Sequence, residues 1–135
     1  MKRTSIENDS HLLKEVSNEL IEELREIGVN EEIIFDVHVG FEEALRNAMV
    51  HGNKEAEHKK VAVETKIEDN SVTIMVEDEG DGFVPESLPD PTHDDNLLLE
   101  GGRGVYLIKH LMDEVRYENG GRRLIMIKYL DRQHI

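Results

Sequence analysis

Two hydrophobic periods alternate along this chain. Leu13, Val16, Leu20, Leu24 and Ile27 recur at steps of three and four, which predicts an amphipathic helix. Asn8, Asp9 and Ser10 offer caps at its start, and Gly28 ends it with a residue that tolerates a left-handed backbone. Asn30 caps a second helix whose first turn carries Glu31 and Glu32, where the positive end of the helix dipole favours acids. That helix runs to about His51, with Gly52 and Asn53 as its stop. From Val61 the period becomes two: Val61, Val63, Thr65 and Ile67 alternate with polar residues, "EDNS" makes a turn, and Val72, Ile74 and Val76 alternate again, which predicts a hairpin. A second hairpin is predicted from residues 115–117, the turn "ENGG" and residues 124–130, and residues 4–6 read as a short strand. Between the hairpins, residues 84–101 lack periodicity and hold all three prolines; an apolar helix over residues 105–111 follows. This order predicts an α+β fold, a mainly antiparallel sheet with helices on one face. A long aperiodic stretch in so short a chain reads as a lid or binding loop.

The length, 135 residues, fits one domain with one core. Sixteen basic residues against 30 acidic ones leave a net charge of −14. A phosphate backbone and an anionic membrane surface are both repelled by that charge, so neither nucleic acid nor membrane is an expected partner. A basic protein surface, or a nucleotide accompanied by Mg²⁺, fits it. There is no cysteine, no signal-peptide core and no run of membrane-spanning length, which together read as a cytoplasmic chain.

The second helix carries more than a core stripe. Ile34, Val37, Phe41, Ala44, Leu45 and Ala48 share one face, while Glu42 and Arg46 lie on another that stays in water. Asp36, Gly40, Glu43, Asn47 and His51 form a third strip bordering the core. Glu43 and Asn47 are one turn apart, about 6 Å of axial rise, so both tips address one small ligand. Gly40 costs about 1 kcal/mol in a helix interior, and on this strip its missing side chain leaves space. Taken alone, the strip is a solvated flank.

Two glycine segments give it company. In "VEDEGDGF", a strand leads to Asp78, then to Gly80 and Gly82, where the main chain bends tightly and lets a ligand approach. A carboxylate at such a sheet end accepts hydrogen bonds and suits an exocyclic amine such as adenine's. The alternation of Glu77, Glu79 and Asp81 before Gly82 imitates a calcium loop, but that loop needs Glu at its twelfth position and Leu88 stands there. In "GGRGVYLIKHLMDEV", Gly101, Gly102 and Gly104 precede the apolar helix, and free N–H groups at a helix start, with Arg103 beside them, suit phosphate. The segment lacks the Lys–Ser/Thr ending of a Walker loop and the spacing of a dinucleotide fingerprint.

In series, "EALRNAMVHGN", "DEGDGF" and "GGRGVYLIKHLMDEV" resemble the N, G1 and G2 boxes of the GHKL (histidine-kinase-like) ATPase superfamily, and most closely its stand-alone branch, the anti-sigma factor serine/threonine kinases. The likeness covers nearly the whole chain. It implies a two-layer α/β sandwich with a mainly antiparallel, mixed sheet, residues 1–135 forming one ATP-binding kinase domain with an ATP lid at 84–101. It implies ATP and Mg²⁺ as cofactors. Glu43 then orients or deprotonates the attacking group, Asn47 ligates Mg²⁺, Asp78 reads the adenine amino group, and Gly80 and Gly82 line the base. Gly102 and Gly104, with Arg103 and Val105, hold phosphate, and His51 packs against the nucleotide. One departure stands out: the family places a Gly–Thr near the start of the last strand, and this chain has Arg122 and Arg123 there, which leaves Thr73 or a water as the stand-in at adenine.

The function so implied is an anti-sigma kinase that binds a sigma factor and phosphorylates a small anti-sigma antagonist, in a family where homodimers are common. The alternative is a non-catalytic module that holds nucleotide and sequesters a partner. A carboxylate at Glu43 favours catalysis, because a pure binder has no use for one at the phosphate end.

Overall fold

Of the three cap candidates before the first helix, Asp9 is the one used: its carboxylate accepts the N–H of His11 at 2.7 Å, which takes up one free donor of the first turn. A computed structural model describes residues 1–53, 59–80 and 100–130, with residues 51, 52 and 100–105 described by their backbone alone. Strand β1 (Lys2–Glu7) leads into α1 (Ser10–Glu26), then α2 (Glu31–Asn47), whose end winds into one π-helical turn, Ala48–Gly52. Strands β2 (Lys60–Ile67) and β3 (Ser71–Glu77) follow, then α3 (Glu100–Leu111), β4 (Glu114–Glu118) and β5 (Arg123–Tyr129). Helix α1 ends as its sequence predicts, with Gly28 at φ 85°, but Ile27 lies beyond the last turn and is exposed. Ser17 and Ile21 take the buried places beside Leu13, Leu20 and Leu24. Asn30 caps α2, accepting from the N–H of Ile33 at 2.9 Å.

The strands form one sheet in the order β1-β2-β3-β5-β4, antiparallel in every pairing among the described strands. Register puts Val63, Val76 and Leu124 in one row, and Thr65, Ile74 and Met126 in the next, all facing the helices. Each fully enclosed aliphatic or aromatic side chain contributes about 1.5–3 kcal/mol relative to exposure. Phe41, Leu45, Val37 and Ile34 of α2 are enclosed against these rows, so the predicted core face of α2 is the observed one. Because β5 inserts between β3 and β4, the end of β3 lies beside the start of β5, and Glu77 pairs with Arg123.

The third strip of α2 is divided between two uses. Asp36 takes an ion pair from Lys128 of β5 at 3.1 Å, and the same ammonium donates to the carbonyl of Leu111 at 2.7 Å, tying α2, α3 and β5 together. At Gly40 a Cβ would come within 2.7 Å of Met112 Cε, so the missing side chain makes room for the end of α3, and the space expected for a ligand is filled by protein. Only Glu43 and Asn47 of the side chains described on this strip remain for a ligand.

A bulkier residue at position 40 tests that packing. Gly40→Leu is expected to lower stability by about 1–3 kcal/mol, the usual cost of overpacking, with partial recovery in Gly40→Leu/Met112→Ala. Urea midpoints of the two variants and wild type measure this; a Gly40→Leu chain of wild-type stability would refute the contact.

Candidate functional site

Glu43 is held at the edge of α2 with little freedom. Its side chain is 16% exposed, and one oxygen, Oε1, forms an ion pair with Arg46 one turn on. The other, Oε2, is buried and has no hydrogen-bond partner among the described residues. A buried carboxylate oxygen without a donor costs about 1–3 kcal/mol, so the position is unfavourable for folding unless a ligand supplies the donor. Glu43 and Arg46 also line a cleft of about 570 Å³ between α2 and the start of α1, with Asn8, Ser10, Leu13 and Met49 among its other walls. Asn47, half-buried, follows one turn after Glu43.

Asp78 sits where β3 ends. Its N–H donates to the carbonyl of Arg122 at 3.0 Å, and its carboxylate Oδ1 accepts the N–H of Gly80 at 2.8 Å. Burial pushes its carboxyl above the ordinary aspartate value, against the opposing pull of the Gly80 N–H and the Arg122 charge. The neighbouring Glu77 behaves differently. Burial raises it too, but hydrogen bonds from Asn119 at 2.7 Å and from Arg123 hold its carboxyl below the usual range. Asn119, Gly120 and Gly121 all have positive φ, and this tight turn brings the Arg122 carbonyl back to Asp78. Arg122 and Arg123, in place of the expected Gly–Thr, thus act as a backbone anchor for Asp78 and a charge partner for Glu77. Thr73 lies five residues before Asp78, about 17 Å along a strand, on the sheet face turned away from the helices, opposite Ile127.

Helical backbone starts at Glu100, more than one turn earlier than the apolar run predicts, so Gly101, Gly102 and Arg103 lie inside the first turn of α3 and Gly104 opens the second. The periodic signal begins only where side chains reach the core. The N–H groups of a helix's first turn have no acceptor within the helix. Gly82 and most of the predicted lid, residues 84–99, lie outside the described residues. His51 falls in the π-helical turn, described by backbone alone. Among the described residues no group of three or more His, Asp or Glu could hold a metal ion by itself.

Two residues at this site escaped the sequence. Arg46 reads as a solvated flank, yet it occupies one oxygen of Glu43. Asn53 reads as a helix stop, yet its side chain is completely enclosed and accepts the N–H of Glu79, next to Asp78, at 2.7 Å. The acid three residues before Arg46 was a signal for the first. Nothing in the local pattern signals the second, two of whose partners are 26 and 45 residues away.

Known proteins resemble this chain in sequence and fold. A sequence profile described as the histidine kinase-like ATPase domain matches residues 6–128. The serine-protein kinase RsbW of Bacillus subtilis is 34% identical over 116 residues, covering 81% of this chain and 72% of its own. Those of Staphylococcus epidermidis and Listeria monocytogenes are 32% and 30% identical, covering 80% of this chain and 73% of theirs. The crystal structure of the RsbU and RsbW domains of a Mycobacterium tuberculosis protein superposes with a TM-score of 0.59 over 95% of this chain, which spans 30% of that one. At 18% identity, that likeness bears on the fold alone.

The raised carboxyl of Asp78 has a consequence for stability. Between the ordinary aspartate value and the raised one, the folded chain holds the proton more tightly than the unfolded chain, so stability falls as pH rises through that window and stays lower above it. Asp78→Asn keeps an oxygen for the Gly80 N–H and removes the charge. It is expected to melt a few degrees above wild type at neutral pH, with the gap closing in acid below the ordinary aspartate value. Thermal unfolding across pH measures it; a variant less stable than wild type at neutral pH would show that Arg122 and the Gly80 N–H outweigh burial.

Proposed function

The chain belongs to the histidine kinase-like ATPase domain family, and on that premise we propose that it is an ATP-dependent serine/threonine protein kinase acting as a cytoplasmic anti-sigma factor. In this reading residues 1–135 form one kinase domain, with residues 84–101 as its ATP lid. It binds a sigma factor and transfers the γ-phosphate of ATP to a serine or threonine of a small anti-sigma antagonist. The observation that carries the catalytic part is the buried Oε2 of Glu43, which has no partner among the described residues. Support for the protein substrate comes from the relatives, which are serine-protein kinases by name. Among the described residues no helix is long and apolar enough to cross a membrane, as a cytoplasmic regulator requires.

Chemically, the acceptor hydroxyl oxygen forms a bond to the γ-phosphorus while the bond from that phosphorus to the β–γ bridging oxygen breaks, and ADP departs. Glu43 Oε2 accepts the hydroxyl hydrogen bond and then its proton, which gives the orphaned oxygen its missing partner. Arg46, by occupying Oε1, leaves Oε2 as the oxygen free for that task. Asp78 accepts from the adenine amine through the oxygen not used by Gly80, and the first turn of α3 meets the phosphates. Asn47 would hold Mg²⁺ together with phosphate oxygens; when bound, the ion neutralises charge on the triphosphate. In a chain of net charge −14 that neutralisation governs affinity. A homodimer belongs to the same proposal. The apolar stripe of α1 is spent on the core, so a second copy would meet the outer sheet face, where Met75, Ile125 and Ile127 are half-buried.

Transfer from radiolabelled ATP to a purified antagonist tests the reading. Glu43→Ala is expected to lose at least about a hundredfold in transfer rate, the scale of a missing general base, while still binding ATP. Asn47→Ala should lose Mg²⁺-dependent nucleotide binding. Wild-type transfer by Glu43→Ala would remove that residue from the chemistry, and absence of transfer by the wild type, with partner binding intact, would leave a sequestering module. ATP binding is also expected to weaken sharply in EDTA; equal affinity with and without Mg²⁺ would refute the metal's part.

A further inference from the structure

Asn53 follows the π-helical turn at the end of α2, and its side chain is wholly enclosed. Both ends of its amide are used. Nδ2 donates to Asn8 Oδ1 at 3.1 Å and to the carbonyl of Lys60 at 3.0 Å, while Oδ1 accepts the N–H of Glu79 at 2.7 Å. Its own backbone N–H donates to the carbonyl of Ala48 at 2.8 Å. One side chain therefore joins the end of β1, the end of α2, the start of β2 and the turn after β3. Two donors and one acceptor are required at once, which an amide supplies and a carboxylate or hydroxyl does not. An apolar residue of similar size would fill the space but leave three partners without a bond.

Glu79 lies between Asp78 and Gly80, and its N–H is the one that Asn53 holds. The N–H groups on either side are also taken, that of Asp78 by the Arg122 carbonyl and that of Gly80 by the Asp78 carboxylate. With Oδ1 of Asp78 turned back to Gly80, the direction of its other oxygen depends on where the Glu79 peptide is pinned. We propose that Asn53 is a positioning residue for base recognition: it aims the free oxygen of Asp78 at the exocyclic amine of adenine, and it ties that turn to the helix bearing Asn47. The assignment rests on Asp78 being the adenine reader. A second tie, from the Lys60 N–H to the Glu79 carboxylate, keeps the turn from coming loose altogether when Asn53 is changed. Loss of Asn53 therefore blunts the aim of Asp78 while the pocket persists.

The experiment compares ATP with purine riboside triphosphate, which lacks the exocyclic amine, in Mg²⁺ by titration calorimetry. Wild type is expected to prefer ATP by about tenfold, the worth of one hydrogen bond to a charged group. In Asn53→Ala the preference should fall close to one, with affinity for the amine-free analogue within about twofold of wild type. Asn8→Ala removes a partner of Asn53 without touching the Glu79 N–H; it should lower the melting temperature and leave the preference intact. Asn53→Ser withdraws the side chain from the Glu79 N–H without burying a charge; it should lower the preference in the same sense, and it carries the comparison if Asn53→Ala does not fold. Equal weakening of both nucleotides in Asn53→Ala or Asn53→Ser, with the preference kept, would reduce Asn53 to a structural residue and overturn the proposal. If wild type itself binds both nucleotides equally, the adenine role of Asp78 falls first, and the role of Asn53 with it.

Discussion

Helix α2 can lie on the sheet in only one rotation, and the site follows from that. Ile34, Val37, Phe41 and Leu45 are each enclosed to within about 1% of full burial. Turning the helix by a single residue, 100°, would bring these side chains into water at roughly 1.5–3 kcal/mol apiece. Asp36 and Gly40 then reinforce the setting, the first through Lys128 and the second by admitting Met112. Glu43 and Asn47 are carried to the border of the core as a result. Their position is set by residues that never touch a ligand.

The same rigidity explains why two carboxylates can be kept in unfavourable surroundings. Glu43 has a buried oxygen without a donor, and Asp78 is pushed toward its protonated form by burial. Each lowers stability in the ligand-free chain, and each is confined by neighbours with no freedom to relieve it: Arg46 on one side, the Gly80 and Glu79 N–H groups on the other. Glu77 is the contrast. One residue away it is satisfied by Asn119 and Arg123, and its carboxyl lies below the usual range. These adjacent acids differ because Glu77, the last residue of β3, receives donors from Asn119 and Arg123, whereas burial dominates at Asp78 in the turn beyond it.

Much of the fold was legible in local pattern. The two periods separated helices from hairpins, Asn30 and Gly28 marked their boundaries, and the core face of α2 could be read from its wheel. Local pattern was less informative at the edges of elements. The glycines before Val105 belong to the start of α3, because a periodic signal exists only where side chains meet the core. Gly40 signalled close approach correctly, but whether a ligand or a methionine approaches is a question of what packs opposite.

The sequence by itself determined the residue types and spacing, Glu43 with Asn47 and Asp78 with Gly80, on which the proposed nucleotide site rests, since helical period and glycine freedom are properties of neighbours in the chain. Tertiary structure alone decided which oxygen of Glu43 Arg46 occupies, why Arg122 stands beside Asp78, and that Thr73 lies on the sheet face turned away from the helices. It alone made Asn53 a junction of four segments. Those outcomes depend on groups brought together from up to 45 residues apart, where hydrogen-bond direction, not local preference, selects the partner.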